Sequence, residues 1–217
     1  MKKALLAIFF LGNMGLFSET HGEEKPFQGD EIEKSTGLRQ ISGDRFILDL
    51  KYRTSDNFLG QDIYTSYGIN ACYVHPALYE KLKKVEDTLR NSKLKLVIYD
   101  CFRPLSIQKA MWHIKPDPKY VANPSRGSQH NRGVAIDCAL ADENGTYLEF
   151  PTSFDSFEPK AWQNYTCKTN EKVQCQNRNT LKKIMESIGL SGISSEWWHF
   201  QIPNSRHFPV LDFELGR

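Results

Sequence analysis

SRGSQHNRGVAIDCAL, residues 125–140, passes from a polar loop with two glycines into a run of alternating character. A period of two marks a β-strand, whose side chains point to opposite faces in turn. Val134, Ile136, Cys138 and Leu140 therefore share one face, while Ala135, Asp137 and Ala139 share the other. Asp137 is an acid between two alanines, and such small neighbours leave room above its carboxylate. His130, just upstream of Gly133, can swing over the same space. An imidazole and a carboxylate converging on one point supply two of the three protein ligands of a catalytic zinc site.

The third ligand is expected from EWWHFQI, residues 196–202, an aromatic segment that reads as a closing strand. Of the six histidines, His21 lies in the N-terminal segment, His75 and His207 stand near prolines in turns or tails, and His113 sits near a helix end. His199 alone is in a strand beside an acid, with Trp197 and Trp198 able to exclude water. Three protein ligands leave a fourth position for water, whose pKa zinc lowers to about 7, and such a site is built for hydrolysis. Taken singly, each residue has a plainer reading: a core histidine, a turn-binding aspartate, an exposed glutamate at a strand start. Taken together they point to a metal. Strand geometry sets Glu196 and His199, three apart, on opposite faces, so Glu196 lies in the turn before the strand or the strand is bulged.

Outside these segments the pattern is α+β. RFILDLKY (residues 45–52), INACYVHP (69–76) and LKLVIYD (94–100) have the apolar density of strands. Pro76 opens a helix with Leu78, Leu82, Val85 and Leu89 at helical spacing, and Pro104 starts another, LSIQKAMWHI. A last helix carries Leu181, Ile184, Met185 and Ile188, with Gly189 as its cap. Residues 141–179 read mainly as loop. Hairpin-like strands with segregated helices predict one domain over residues 45–217: a mostly antiparallel sheet flanked by helices, with the zinc site on the sheet.

With 40% hydrophobic and 12% aromatic residues, a chain of 217 residues can bury one core. Its 28 basic and 26 acidic residues are interleaved, so no broad basic face exists and nucleic acid is excluded as a partner. Lys2 and Lys3 precede an apolar run from Ala4 to Phe17 and small residues near Gly22, which reads as a secretory signal peptide over residues 1–22. Gly12, Asn13 and Gly15 interrupt that run, and it falls short of the roughly 20 residues of a membrane span. The expectation is cleavage, no stable membrane insertion afterwards, and a periplasmic or secreted location. Polar residues 23–44 read as a loosely held lead-in. Export permits disulfides. Of the five cysteines, Cys167 and Cys175 share one loop-like segment and are the expected pair, whereas Cys72, Cys101 and Cys138 read as small buried hydrophobes.

Ser128, His130, Gly133, Ala135 and Asp137 fill the pattern S-x-H-x-x-G-x-A-x-D, which resembles the zinc-binding signature of D-Ala-D-Ala metallopeptidases. Glu196, Trp197, Trp198 and His199 resemble the same family's E-x-W-H segment. YDCFRP (residues 99–104) and LKYRTSDNF (50–58) are similar to the D-alanyl-D-alanine dipeptidase group, and the resemblance runs from about residue 45 onward. It implies one zinc ion per chain on His130, Asp137 and His199, with Glu196 taking a proton from the attacking water. Arg103 would stabilise charge on the tetrahedral intermediate, Ser128 would lie near the substrate, and Asp155 would help to hold a small D,D-dipeptide. The chain departs from the family in its cysteines and in CKTNEKVQC, residues 167–175. The implied activity is hydrolysis of D-alanyl-D-alanine to two D-alanines, and export turns its role toward cell-wall peptide turnover. The alternatives are a D,D- or L,D-carboxypeptidase acting on peptidoglycan stem peptides, and a non-catalytic zinc-binding recognition module. Glu196 and Arg103 together weigh against the last, because a structural site needs neither.

Overall fold

The alternating run at 133–140 becomes the middle strand of the main sheet in the computed structural model, which describes residues 29–213 and 215. The signal-peptide reading of residues 1–22 lies outside the described residues. In chain order the elements are α1 (Gly29–Thr36), β1 (Arg39–Gln40), β2 (Phe46–Leu48), β3 (Tyr73–Val74), α2 (Pro76–Asn91), β4 (Leu94–Asp100), α3 (Leu105–Ile114), β5 (Ala135–Asp142), α4 (Lys172–Ser187), β6 (Ser191–Ile193) and β7 (Glu196–Gln201). The main sheet has the order β2-β4-β5-β7-β6, and β1 pairs with β3 in a separate two-stranded ribbon. Every pair in the main sheet is antiparallel except β2 with β4. The α+β class and the mostly antiparallel sheet are therefore as the sequence predicts.

All residues of β5 but the last are buried, which matches a strand in which six of eight residues are apolar. Ile136, Cys138 and Leu140 pack under α2 and α4, whose buried stripes are Leu78, Leu82, Val85 and Leu89 on one helix and Leu181, Ile184 and Met185 on the other. A second core gathers around α3, with Ile107 and Met111 packed among Tyr52, Tyr64 and Phe102, and Phe154 touches both cores. Pro76 at the first turn of α2 and the His75 ring nitrogen accepting from Ala77 N–H (3.1 Å) fix where that helix begins.

Four expectations need correction. Residues 29–41 of the supposed lead-in are folded: α1 and β1 bury Ile32, Leu38 and Ile41, and Arg39 and Gln40 pair with Val74 and Tyr73. α1 carries a single buried apolar residue in its eight, too few to show a stripe. The strand expected at 45–52 stops at Leu48 and turns into a 3-10 helix at Lys51–Arg53, while that at 69–76 shrinks to Tyr73–Val74. α4 starts at Lys172, inside the expected loop, because its first turns are polar. Finally, Cys72 and Cys101 are not isolated hydrophobes but form a disulfide, alongside the expected Cys167–Cys175 bridge, and Cys138 is free and buried.

The Cys72–Cys101 bridge closes 29 residues and the Cys167–Cys175 bridge closes 8. Loop-closure entropy assigns about 3–4 kcal/mol to the first and roughly 2–3 kcal/mol to the second. Urea unfolding of Cys72→Ser/Cys101→Ser and Cys167→Ser/Cys175→Ser should show both less stable than the parent, the former by more; the reverse order would contradict this assignment.

Candidate active site

His130 opens a 3-10 turn, His130–Arg132, that Gly133 ends in the left-handed region at φ +65°. A Cβ at Gly133 would stand 2.9 Å from the backbone nitrogen of His75, so only glycine lets the chain turn into β5 here. The turn is held from both sides. Ser128 Oγ accepts from His130 N–H (3.1 Å), and buried Asn131 accepts from Ser128 N–H (2.7 Å) while donating to the Arg103 carbonyl (2.7 Å). The His130 ring is fixed by Nδ1, which donates to the Cys101 carbonyl at 2.8 Å. A carbonyl can only accept, so the proton is on Nδ1 and the Nε2 lone pair faces Asp137.

Asp137 and His199 are direct partners across β5 and β7, which puts both side chains on one face. His199 Nε2 donates to Gln201 Oε1 (3.0 Å), leaving Nδ1 turned inward. The ring nitrogens facing away from the shared point thus both have acceptors, the usual support of ligating imidazoles. The three inward atoms are His130 Nε2, an Asp137 oxygen and His199 Nδ1. His130 Nε2 stands 3.3 Å from Asp137 Oδ2 and 3.3 Å from His199 Nδ1, which is 2.9 Å from the other Asp137 oxygen, Oδ1, and one atom from each residue lies within 4.8 Å of the others. Ligand bonds of 2.0–2.1 Å in a tetrahedral centre set their atoms about 3.3–3.4 Å apart, so the donor set fits a small divalent cation with little movement.

Electrostatics agrees with that fit. Burial pushes the Asp137 carboxyl up, but the imidazoles of His130 and His199 outweigh burial and hold it far below the usual carboxylate range. Burial also works against a charge on His199, yet its hydrogen bond to Asp137 raises it to about 9. The buried carboxylate thus draws positive charge to this point, as a metal site requires.

Glu196 lies in β7 itself, so of the two alternatives left by the sequence the bulge is the one observed. Gly192 faces Phe200, but the next residue, Ile193, faces Glu196, so Trp197, Trp198 and His199 bulge away from β6. Glu196 opens β7 directly after the turn, and its Oε2 comes to 4.0 Å from His199 Nδ1. Burial, more than anything else, raises its carboxyl above the ordinary value, partly offset by His199.

Arg103 is buried, not a surface ion-pair residue. Nε (3.1 Å) and Nη2 donate to Asp100, Nη1 donates to Gln108 (2.9 Å), and the guanidinium lies 5.0 Å from the Tyr52 ring centre. Three of its five N–H groups are used, which leaves two for the cleft it lines. Asp155, at φ +58°, accepts from Tyr52 Oη–H and Phe58 N–H, both at 3.3 Å. Aspartate tolerates this left-handed conformation better than most residues. Burial first, and the charge of Asp137 second, raise its carboxyl well above the usual range. Ser128 lines the same cleft, whose volume is about 900 Å³. All seven residues singled out in the sequence therefore border one space.

The supporting residues Asp100, Gln108, Asn131 and Gln201 were not singled out. Gln201 had a signal, since it lies two residues beyond His199 on an alternating strand. Asp100 had one too, as the only acid closing the apolar run LKLVIYD. Gln108 and Asn131 act across the fold and had none.

Two imidazoles and a carboxylate at bonding separation, with a buried acid and a guanidinium beside them, define by class a hydrolase. A family model described as D-Ala-D-Ala dipeptidase matches residues 33–212, and the chain belongs to that peptidase family. It is 38% identical over 164 residues to the D-alanyl-D-alanine dipeptidase of Escherichia coli (strain K12), covering 76% of this chain and 82% of the relative. Likewise, it is 28% identical over 173 residues to the enzyme of that name from Enterococcus faecalis (strain ATCC 700802 / V583), covering 71% and 84%. With that of Enterococcus faecium the identity is 29% over 187 residues, covering 75% and 91%.

Removing one partner of a buried ion pair leaves the other charge stranded, at a cost of about 3–5 kcal/mol. Asp100→Ala should lower unfolding stability by that amount in urea titrations and abolish peptidase activity. A variant of parental stability would show that Asp100 is not what holds Arg103 in place.

Proposed function

We propose that this protein is a zinc-dependent D,D-dipeptidase that splits D-alanyl-D-alanine into two D-alanines, one zinc ion per chain being held by His130, Asp137 and His199. The observation that carries the substrate reading is Asp155: a partly buried carboxylate in the cleft that forms no ion pair with any cation among the described residues. A free ammonium is the partner this environment favours, and a dipeptide has one close to its scissile bond, whereas an acylated stem peptide does not.

Zinc, when bound, supplies a Lewis acid that polarises the scissile carbonyl and lowers the pKa of water to about 7. The protein groups supply the rest. Glu196, whose carboxyl burial raises above its ordinary value, takes the proton of the attacking water on its carboxylate and passes it to the amine nitrogen as that group leaves. Arg103, permanently charged and gripped by Asp100, turns its two unused N–H groups toward the oxygen on which negative charge develops. Trp198 also lines the cleft, and its bulk limits water and strengthens these interactions. Asp155 and Ser128 hold the dipeptide.

Export is part of the same proposal. Two disulfides suit an oxidising compartment, and the charged, then apolar, start of the sequence suits a cleaved signal. Among the described residues no helix is long and apolar enough to cross a membrane. The substrate would then come from cell-wall peptides rather than from the cytoplasmic precursor pool.

Glu196→Gln should retain zinc and lose about 10²–10⁴-fold in kcat, measured on D-Ala-D-Ala with metal content determined in parallel. Parental turnover by this variant would remove Glu196 as base. For the parent enzyme, kcat/KM should be higher on D-Ala-D-Ala than on its N-acetyl derivative; the opposite preference would favour a carboxypeptidase. Mass determination of protein recovered from the periplasm or medium should give a chain beginning near residue 23, and a full-length cytosolic product would overturn the export reading.

A further inference from the structure

Part of the cleft wall carries positive charge that no acidic group among the described residues pairs with. It is built from the loop at 123–129 and the 3-10 turn Ser205–His207, and it brings Arg126, Arg132 and Arg206 to the cleft. Among the described residues the arginines in ion pairs are Arg39, Arg45, Arg90 and Arg103. Arg126, Arg132 and Arg206 make none.

Arg132 has a structural task. Its Nη1 donates to the Phe208 carbonyl and its Nη2 to the Arg126 carbonyl (3.0 Å), so one guanidinium ties the two segments together. That clasp holds the backbone of Arg126 beside a chain segment two residues past Arg206. The Arg126 and Arg206 side chains are exposed and make no hydrogen bond among the described residues, which leaves both forks for the cleft. Gln129, on the same loop and lining the same space, has a buried carboxamide oxygen with no partner, an acceptor suited to a peptide N–H.

We propose that Arg126 and Arg206 bind the carboxylate of the substrate's second residue and so fix the direction in which the dipeptide lies. This rests on the dipeptidase reading and deepens it. A D,D-dipeptide is a zwitterion whose charged ends stand about 7 Å apart when extended, and this cleft is lined both by the Asp155 carboxyl and by guanidinium groups that form no ion pair among the described residues. With the ammonium at Asp155 and the carboxylate at the arginines, the dipeptide is held by both ends in the cleft that His130, Asp137 and His199 also line. Guanidinium forks match carboxylates in shape as well as charge.

The test compares the zinc-loaded enzyme with Arg126→Ala, Arg206→Ala, the double variant, and the double replacement Arg126→Lys/Arg206→Lys. Each is assayed on D-Ala-D-Ala and on D-Ala-D-alaninamide, which lacks the carboxylate charge. The parent should prefer the free acid. Each alanine variant should lose about ten- to a hundredfold in kcat/KM on the acid, mainly through KM, with little change on the amide, and the lysine pair should recover part of the preference. A merely structural effect would lower both substrates alike, and that outcome, or no change on the acid, would overturn the proposal. Should the parent cleave neither substrate, the dipeptidase reading falls and takes this inference with it; cleavage of the acid with unaltered discrimination in the variants removes the inference alone.

Discussion

The carboxylate of Asp100 is wholly shut off from water, and an uncompensated charge there would cost several kcal/mol. Its compensation organises the active centre. Tyr64 Oη–H donates at 2.5 Å, Cys101 N–H at 2.8 Å, and the Arg103 guanidinium grips the other oxygen. His130 Nδ1 stands 3.5 Å away. The register slips by one residue between Ile98 and Asp100, which seats Asp100 across from Asp137. One buried acid at a strand end thus fixes the charged arginine, the carbonyl of Cys101 that orients His130, and the contact between the sheet and the second core. The disulfide anchors the same corner, because Cys101 is both the residue after Asp100 and the acceptor for the His130 ring.

How far the sequence revealed this depends on distance along the chain. Strands and helices with a strong local period were legible: the proline-started helices at 76 and 105, and the strands at 94–100, 135–142 and 196–201, lie where spacing puts them. The cluster of two histidines and an aspartate was legible for the same reason, since Asp137 sits on a clean alternation and His199 in a dense aromatic strand. Elements stabilised by what they pack on were not. α1 is held by one isoleucine and by neighbours from β1 and β3, and the first half of α4 is polar and stapled by Cys167–Cys175.

The Cys72–Cys101 pair shows the same limit from another direction. Nothing local to either cysteine announces the bond. It arises because Phe102 N–H donates to the Tyr73 carbonyl (2.9 Å), which brings the end of β4 against the start of β3. Glu196 is intermediate: its identity was plain, but its orientation required a bulge that depends on how β6 ends. Such sites combine a few locally encoded ligands with an outer layer assembled by the fold, and only the first part is written in neighbouring residues.

The account stands on the meeting of His130 Nε2, Asp137 and His199 Nδ1 at one point. Crystals of the zinc-loaded protein, measured on both sides of the zinc absorption edge, test it most directly. The predicted result is a single anomalous peak per chain within about 2.0–2.2 Å of one atom from each of the three residues. A peak elsewhere, or binding that omits any of the three, would contradict the assignment of this cluster as the centre of the enzyme.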